Sequence, residues 1–270
     1  MARNEPLHLR VWLSYYTKEL GPEACYAIVG HNDPTVDDAK AAFPKANYVY
    51  VQPLKPGQQM TGYYDDPVER WRLRIVRQWQ EELLRHYACV IWGDTDELLL
   101  PEEGIIKYCE DVFIPSGKDR IRSECWSPVQ QPDEPSVRKE SGVSILENRS
   151  KMWRLHMYDK TLLVRTPQVY SKGMHLTYGL DGQGRRCDNG LRQRYHGEPI
   201  DPTLPMVHTW RVDMDDWYAD GKWRYGVTPE ECREYFRTNK CSKIVNDNGP
   251  HVDGDPHPIP QSWKDKLVWH

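Results

Sequence analysis

One stretch constrains this chain more than any other: an amphipathic helix pattern over Pro67 to Tyr87 that runs directly into the apolar segment Ala88 to Trp92, and then into Gly93-Asp94-Thr95-Asp96-Glu97. Val68, Trp71, Ile75, Val76, Trp79, Leu83 and Leu84 recur at spacings that build one apolar stripe, with Arg and Glu on the opposite face. The short ACVIW run reads as a buried strand. Upstream, Leu7 to Leu20 reads as a helix ended by Gly21-Pro22. Cys25 to Val29 is a buried strand that meets the polar turn Gly30-His31-Asn32-Asp33-Pro34, and Asn47 to Val51 is a second strand. Strands and helices alternating in this order imply a parallel sheet flanked by helices. In such sheets ligands bind at the carboxyl ends of the strands, where these polar loops lie.

The second half is less regular. Arg120 to Trp126 and Thr161 to Thr166 read as strands, and Gln168 to Tyr178 adds another. Asp181 to Asn189 is rich in Gly and Arg and reads as a mobile loop. Asp215 to Tyr225 and Thr228 to Asn239 read as helices, and from Val245 the chain reads as an extended, loosely packed tail.

Composition narrows the class of function. A net charge of −4 argues against a general nucleic-acid binder, whose surface needs an excess of Lys and Arg. No apolar run approaches the roughly 18 residues of a membrane span, and no signal peptide opens the sequence. The 7 cysteines are scattered without a zinc-type spacing or a dense disulfide framework, so a reducing, cytoplasmic setting is expected. Trp and Tyr, 11 and 16 residues, greatly outnumber the 3 Phe, a bias that suits stacking on sugars and bases as well as core filling.

Asp94 and Asp96 carry the chemistry. Two carboxylates two residues apart at a strand end converge once the chain turns, and such hard oxygen ligands suit Mg²⁺ or Mn²⁺, which completes its shell with phosphate oxygens. A cation there neutralises a diphosphate leaving group. A solvated loop or helix cap is the plainer alternative for any Asp-x-Asp triplet. A phosphatase-type aspartyl nucleophile is another, but it sits near the start of its fold and wants Thr or Val where this chain has Leu98.

Arg3-Asn4-Glu5, Leu9, Trp12, Tyr15-Tyr16 and Leu20-Gly21 resemble the opening of GT-A glycosyltransferases of the family-2-like and family-92-like kind. Asp94-Thr95-Asp96-Glu97-Leu98 resembles the strand-end motif of the same enzymes. Trp126, Lys160 to Arg165, Gly173-Met174-His175 and His208 to Asp213 resemble later segments, in order. The resemblance runs from Arg3 to about Tyr225. It implies a Rossmann-like GT-A fold with a mixed, mainly parallel sheet over residues 1–225, followed by a C-terminal helix and extended tail over 226–270. It further implies a nucleotide-sugar donor, an acceptor hydroxyl, Mn²⁺ or Mg²⁺, and inversion at the anomeric carbon.

Carried over by position, Glu5 and Asp33 sit by the nucleoside, while Asp94 and Asp96 take the metal and diphosphate. Trp126, His175 and His208 complete the expected donor site, with the two histidines gripping either the metal or the diphosphate. Glu5 as a first-turn helix carboxylate and Asp33 as a turn former are the structural alternatives. An inverting transferase also needs a carboxylate base within hydrogen-bond reach of the acceptor. Asp181 and Asp188, in the Gly-rich loop, are the candidates, and the sequence does not choose between them. Two departures stand out. Only Met1 and Ala2 precede Arg3, so the first strand of the expected fold is missing or truncated, and Ser127 to Pro132 replaces a stretch that should face the sugar or acceptor. A catalytically silent nucleotide-sugar or carbohydrate-binding module remains the alternative from another class.

Overall fold

The computed structural model describes residues 6–30, 33–51, 67–131, 133–137, 142, 144–170, 174, 177–178, 200–209, 212, 228, 230 and 253–268. Glu5, His175, Asp181 and Asp188 lie outside these residues, as do the helices read over 215–225 and 228–239 apart from Thr228 and Glu230.

Helix α1 (Pro6–Leu20) buries Leu9, Val11, Leu13, Tyr15 and Tyr16, and its chain turns at Gly21, whose φ of 86° is the left-handed backbone that glycine tolerates best. Strand β1 (Tyr26–Gly30) follows and pairs in parallel with β2 (Asn47–Val51) across helix α2 (Pro34–Ala42). The long helix α3 (Pro67–Leu83) then leads to β3 (Val90–Ile91), the acidic loop, and β4 (Glu97–Leu99). A short helix α4 (Ile105–Tyr108), continued by a π-helical turn over Cys109–Phe113, precedes the central strand β5 (Arg120–Pro128). Strands β6 (Lys151–Arg154), β7 (Leu163–Val164), β8 (Val169–Tyr170), β9 (Thr177–Tyr178), β10 (Ile200–His208) and β11 (Asp253–Pro258) complete the described elements.

The fold is mixed α/β, as the alternation of elements implied, but the ladders correct the expectation of a mainly parallel sheet. Among the described strands, β1–β2 and β5–β10 are the parallel pairs. The pairs β4–β10, β6–β11, β3–β7, β5–β6, β5–β7 and β8–β9 are antiparallel. The reason lies after the acidic loop, where the chain doubles back: β5 and β3 both receive β7 as an antiparallel neighbour, and β10 bridges β4 to β5. Pairing is set by which strand returns, a non-local property that periodicity does not encode.

Two side-chain networks fasten this arrangement. Tyr15 donates its hydroxyl to the Leu99 carbonyl at 2.6 Å while the Leu99 amide donates to the Tyr16 hydroxyl at 3.1 Å, so neighbouring residues of α1 hold both backbone groups of one β4 residue. Buried Asp159 receives both terminal nitrogens of Arg154, at 2.5 and 2.7 Å, and the Cys125 amide at 2.8 Å. A planar fork on a carboxylate is among the stronger polar contacts in proteins. The tail read as loosely packed is anchored over residues 253–268: β11 pairs with β6, and Ile259, Trp263 and Leu267 join the main core.

Among the described residues, no helix is long and apolar enough to cross a membrane.

Candidate functional site

The acidic loop leaves β3 at Trp92, whose amide donates to the Leu162 carbonyl at 2.8 Å, and re-enters the sheet at Glu97. Close packing fixes the turn at Gly93, where an added Cβ would stand 3.3 Å from the Glu97 carbonyl. Asp94 and Asp96 therefore project from a short, pinned loop, each with just over a fifth of its side chain exposed.

Each carboxylate has basic neighbours. Arg72 on α3 reaches Asp94 Oδ2 at 3.4 Å, and Lys160 Nζ lies 3.7 Å from the same oxygen. Lys160 is itself buried and is ion-paired with buried Glu97. His208, at the end of β10, places Nε2 3.1 Å from Asp96 Oδ2, with its ring 5.1 Å from that of Tyr158. His8 of α1 approaches the same corner through the Thr209 carbonyl at 3.4 Å, and Thr209 donates its amide to the Asp96 carbonyl at 2.7 Å.

These neighbours govern ionisation. Burial raises the Asp96 carboxyl, but His208, by charge and hydrogen bond, with His8 and Lys160 behind it, outweighs burial and holds the group well below the usual carboxylate range. Burial likewise opposes ionisation of Asp94, yet Arg72 and Lys160 prevail against it and against the repulsion of Asp96, so this carboxyl too is lowered. Burial pulls Lys160 down, while Glu97 and Asp94 more than reverse it, leaving the amine above its ordinary 10.5. Each of the three carboxylates of this corner thus faces a basic side chain: Asp94 faces Arg72 and Lys160, Asp96 faces His208, and Glu97 faces Lys160.

The structure brings Asp94, Asp96 and His208 together. Asp33 is buried just before α2, and its carbonyl accepts the Val36 amide at 3.1 Å. Trp126 is half-buried on β5, packs against the main core, donates Nε1 to Glu124 at 3.1 Å and meets the His257 ring edge-on at 5.1 Å. Met174 packs against Trp92, accepting the indole N–H at 2.7 Å.

Sequence reasoning passed over Arg72 and His8, and noticed Glu97 and Lys160 only as members of segments that carry the resemblance. Glu97 directly follows the acidic pair, and Lys160 opens an apolar run, so a buried opposite-charge pair was available as a signal. Arg72 carried none, being one of several arginines on the polar side of α3.

Among the described residues no group of three or more His, Cys, Asp or Glu is arranged to enclose a metal. A Mg²⁺ or Mn²⁺ ion that takes one or two carboxylates and fills its shell with phosphate and water does not require such a cage. Asp94 and Asp96, both held ionised, fit that mode. Comparison of the chain with protein-family models, with curated proteins and with solved structures finds no match.

Proposed function

We propose that the protein is a metal-dependent glycosyltransferase that moves a sugar from a nucleotide-sugar donor to an acceptor hydroxyl on a GT-A-like fold. The observation that carries this reading is the pair of ionised carboxylates at the tip of β3, with His208 against one and Lys160 and Arg72 against the other. In this reading Asp94 and Asp96 hold Mn²⁺ or Mg²⁺. The ion supplies Lewis-acid stabilisation of the departing diphosphate. Arg72 and Lys160 add positive charge where the diphosphate lies, and His208 orients the Asp96 carboxylate. Inversion and a base role for Asp181 or Asp188 belong to the same proposal.

Calorimetric titration with nucleoside diphosphates, with and without Mn²⁺, tests the reading. The expected result is binding that needs the metal and is abolished by Asp96→Ala, together with slow hydrolysis of the matching sugar donor. Intact, folded protein that binds no nucleoside diphosphate in either condition overturns it. The contacts of Arg72 and Lys160 with Asp94 favour one further reading, a binding module that holds the nucleotide sugar without turning it over. Metal-independent binding with no donor hydrolysis selects that module.

A further inference from the structure

Cys89 immediately precedes β3, and Cys109 opens the π-helical turn that follows α4. The fold brings the two positions together. Val90 pairs with Val164 and Ile91 with Leu163, so the same antiparallel register sets Cys89 opposite Arg165. The Arg165 guanidinium donates to the Ile114 carbonyl at 3.3 Å, and the Ile114 amide donates to the Cys109 carbonyl at 2.9 Å. One residue therefore joins the foot of β3 to the turn that Cys109 begins. Both cysteines pack on the main core, and with Trp12, Tyr26 and Ile28 both line a cavity of about 350 Å³ between α1, β1 and β3. Both are free thiols, Cys89 half-buried and Cys109 buried.

The two thiols are unequal. A hydrogen bond from Cys109 lowers the Cys89 thiol, burial works against it, and the charge of Arg165 adds to the lowering. Cys109, which gives that hydrogen bond, is pushed up by it and by burial, and stays protonated. Among the other described cysteines, Cys25 donates its thiol to the Gly21 carbonyl at 3.4 Å and burial pushes it up to about 12, while burial also raises Cys125. The thiolate, not the thiol, is the nucleophile, so Cys89 is the described cysteine set to react first.

We propose that Cys89 and Cys109 are a redox-active pair, which a hydroperoxide converts to a disulfide that closes residues 89–109 into a covalent ring around the acidic loop. The Cys89 thiolate attacks the terminal peroxide oxygen. An S–O bond forms, the O–O bond breaks, and the departing alkoxide or hydroxide takes up the proton that Cys89 released. The product at Cys89 is a sulfenic acid. Cys109 then attacks that sulfur: the S–S bond forms, the S–O bond breaks, and hydroxide leaves with the Cys109 proton as water. Together the thiols lose two electrons and the hydroperoxide gains them. The ring so closed contains Asp94, Asp96, Glu97 and all of β4, and it fixes the foot of β3 to the turn after α4.

The test treats the reduced, folded full chain with a slight excess of hydrogen peroxide, blocks the remaining thiols, and maps its peptides without reduction. The main product should be a Cys89–Cys109 crosslinked peptide, two hydrogens lighter than its separate parts and lost on treatment with dithiothreitol. In Cys109→Ser, Cys89 should stop at the sulfenic acid and be trapped by dimedone. Before any peroxide, iodoacetamide should modify Cys89 at least about tenfold faster than Cys25. Four results overturn the proposal: free thiols at both positions after peroxide, a main crosslink between any other two of the 7 cysteines, a sulfenic acid that persists at Cys89 with Cys109 intact, or equal labelling of Cys89 and Cys25. Peptide mapping and labelling use the unmutated chain, so they decide the matter even where Cys109→Ser fails to fold. No readout depends on nucleotide or metal binding, so the outcome is separate from that of the proposed function.

Discussion

Replacing Lys160 by methionine keeps the length of the side chain and removes its charge, leaving Glu97 buried at 1% exposure without its ion-pair partner. The Glu97 carboxylate then retains the Asp94 amide at 3.4 Å, a poor substitute. Breaking a buried pair from one side costs about 3–5 kcal/mol. A second estimate agrees with it. An orphaned glutamate can take up a proton, and from an ordinary value near 4.3 this costs about 3–4 kcal/mol at pH 7 and about 1 kcal/mol at pH 5. The loss in Lys160→Met should therefore be about 3–4 kcal/mol at pH 7 and shrink by roughly 2 kcal/mol or more at pH 5. Urea unfolding, extrapolated linearly at both pH values, measures it. Adding Glu97→Gln should restore most of the stability at pH 7, because the charge left behind is gone. A loss below about 1 kcal/mol, one that is the same at both pH values, or no rescue by Glu97→Gln refutes the view of this pair as a buried, mutually dependent unit.

Further outcomes follow from neighbouring contacts. Tyr15→Phe, which leaves the buried Leu99 carbonyl without its 2.6 Å donor, should cost about 1–3 kcal/mol in the same urea assay. Asp159→Ala removes the fork on Arg154, leaving it Glu124 as its carboxylate partner, and should cost about 3–5 kcal/mol, well above the effect of Lys107→Ala at the exposed Glu103 pair. Because Asp94 is held below its ordinary 3.8, its stabilisation is complete above that pH and fades as pH falls through the lowered value. Asp94→Asn should flatten the acid limb of a stability–pH curve below about pH 4 and leave its slope near neutrality unchanged.

Local periodicity made much of the first hundred residues legible. The helix read over Leu7 to Leu20 is Pro6–Leu20, the strand read over Asn47 to Val51 has those bounds, and the helix from Pro67 ends at Leu83 rather than Tyr87. Helix α2 escaped notice because Thr35, Asp37, Asp38 and Lys40 give it no apolar stripe. Strand β10 was hidden by Pro202 and Pro205, residues that argue against a strand; the ladder accommodates them with a register shift between Asp201 and Pro205. Strand β11, DGDPHP, has no apolar pattern at all and exists through its pairing with β6. In the site, the acidic pair was picked out by its place after an apolar strand, whereas His208 came from the resemblance of its segment alone, since β10 itself was not legible. The basic residues that balance them come from α3 and from the turn before β7, and sequence distance conceals that convergence.

The grip of Tyr15 and Tyr16 on Leu99 gives α1 a second office besides filling the core. The same helix walls the cavity beside β1 and clamps the strand that begins one residue after Asp96. A shift or tilt of α1 would be transmitted through those two phenols to the bend that carries the carboxylates. Under the proposed function, cation affinity at the loop should then respond to how the helix is packed, and substitutions at Leu9 or Trp12, with no polar atom near the aspartates, should register as an altered response to Mn²⁺.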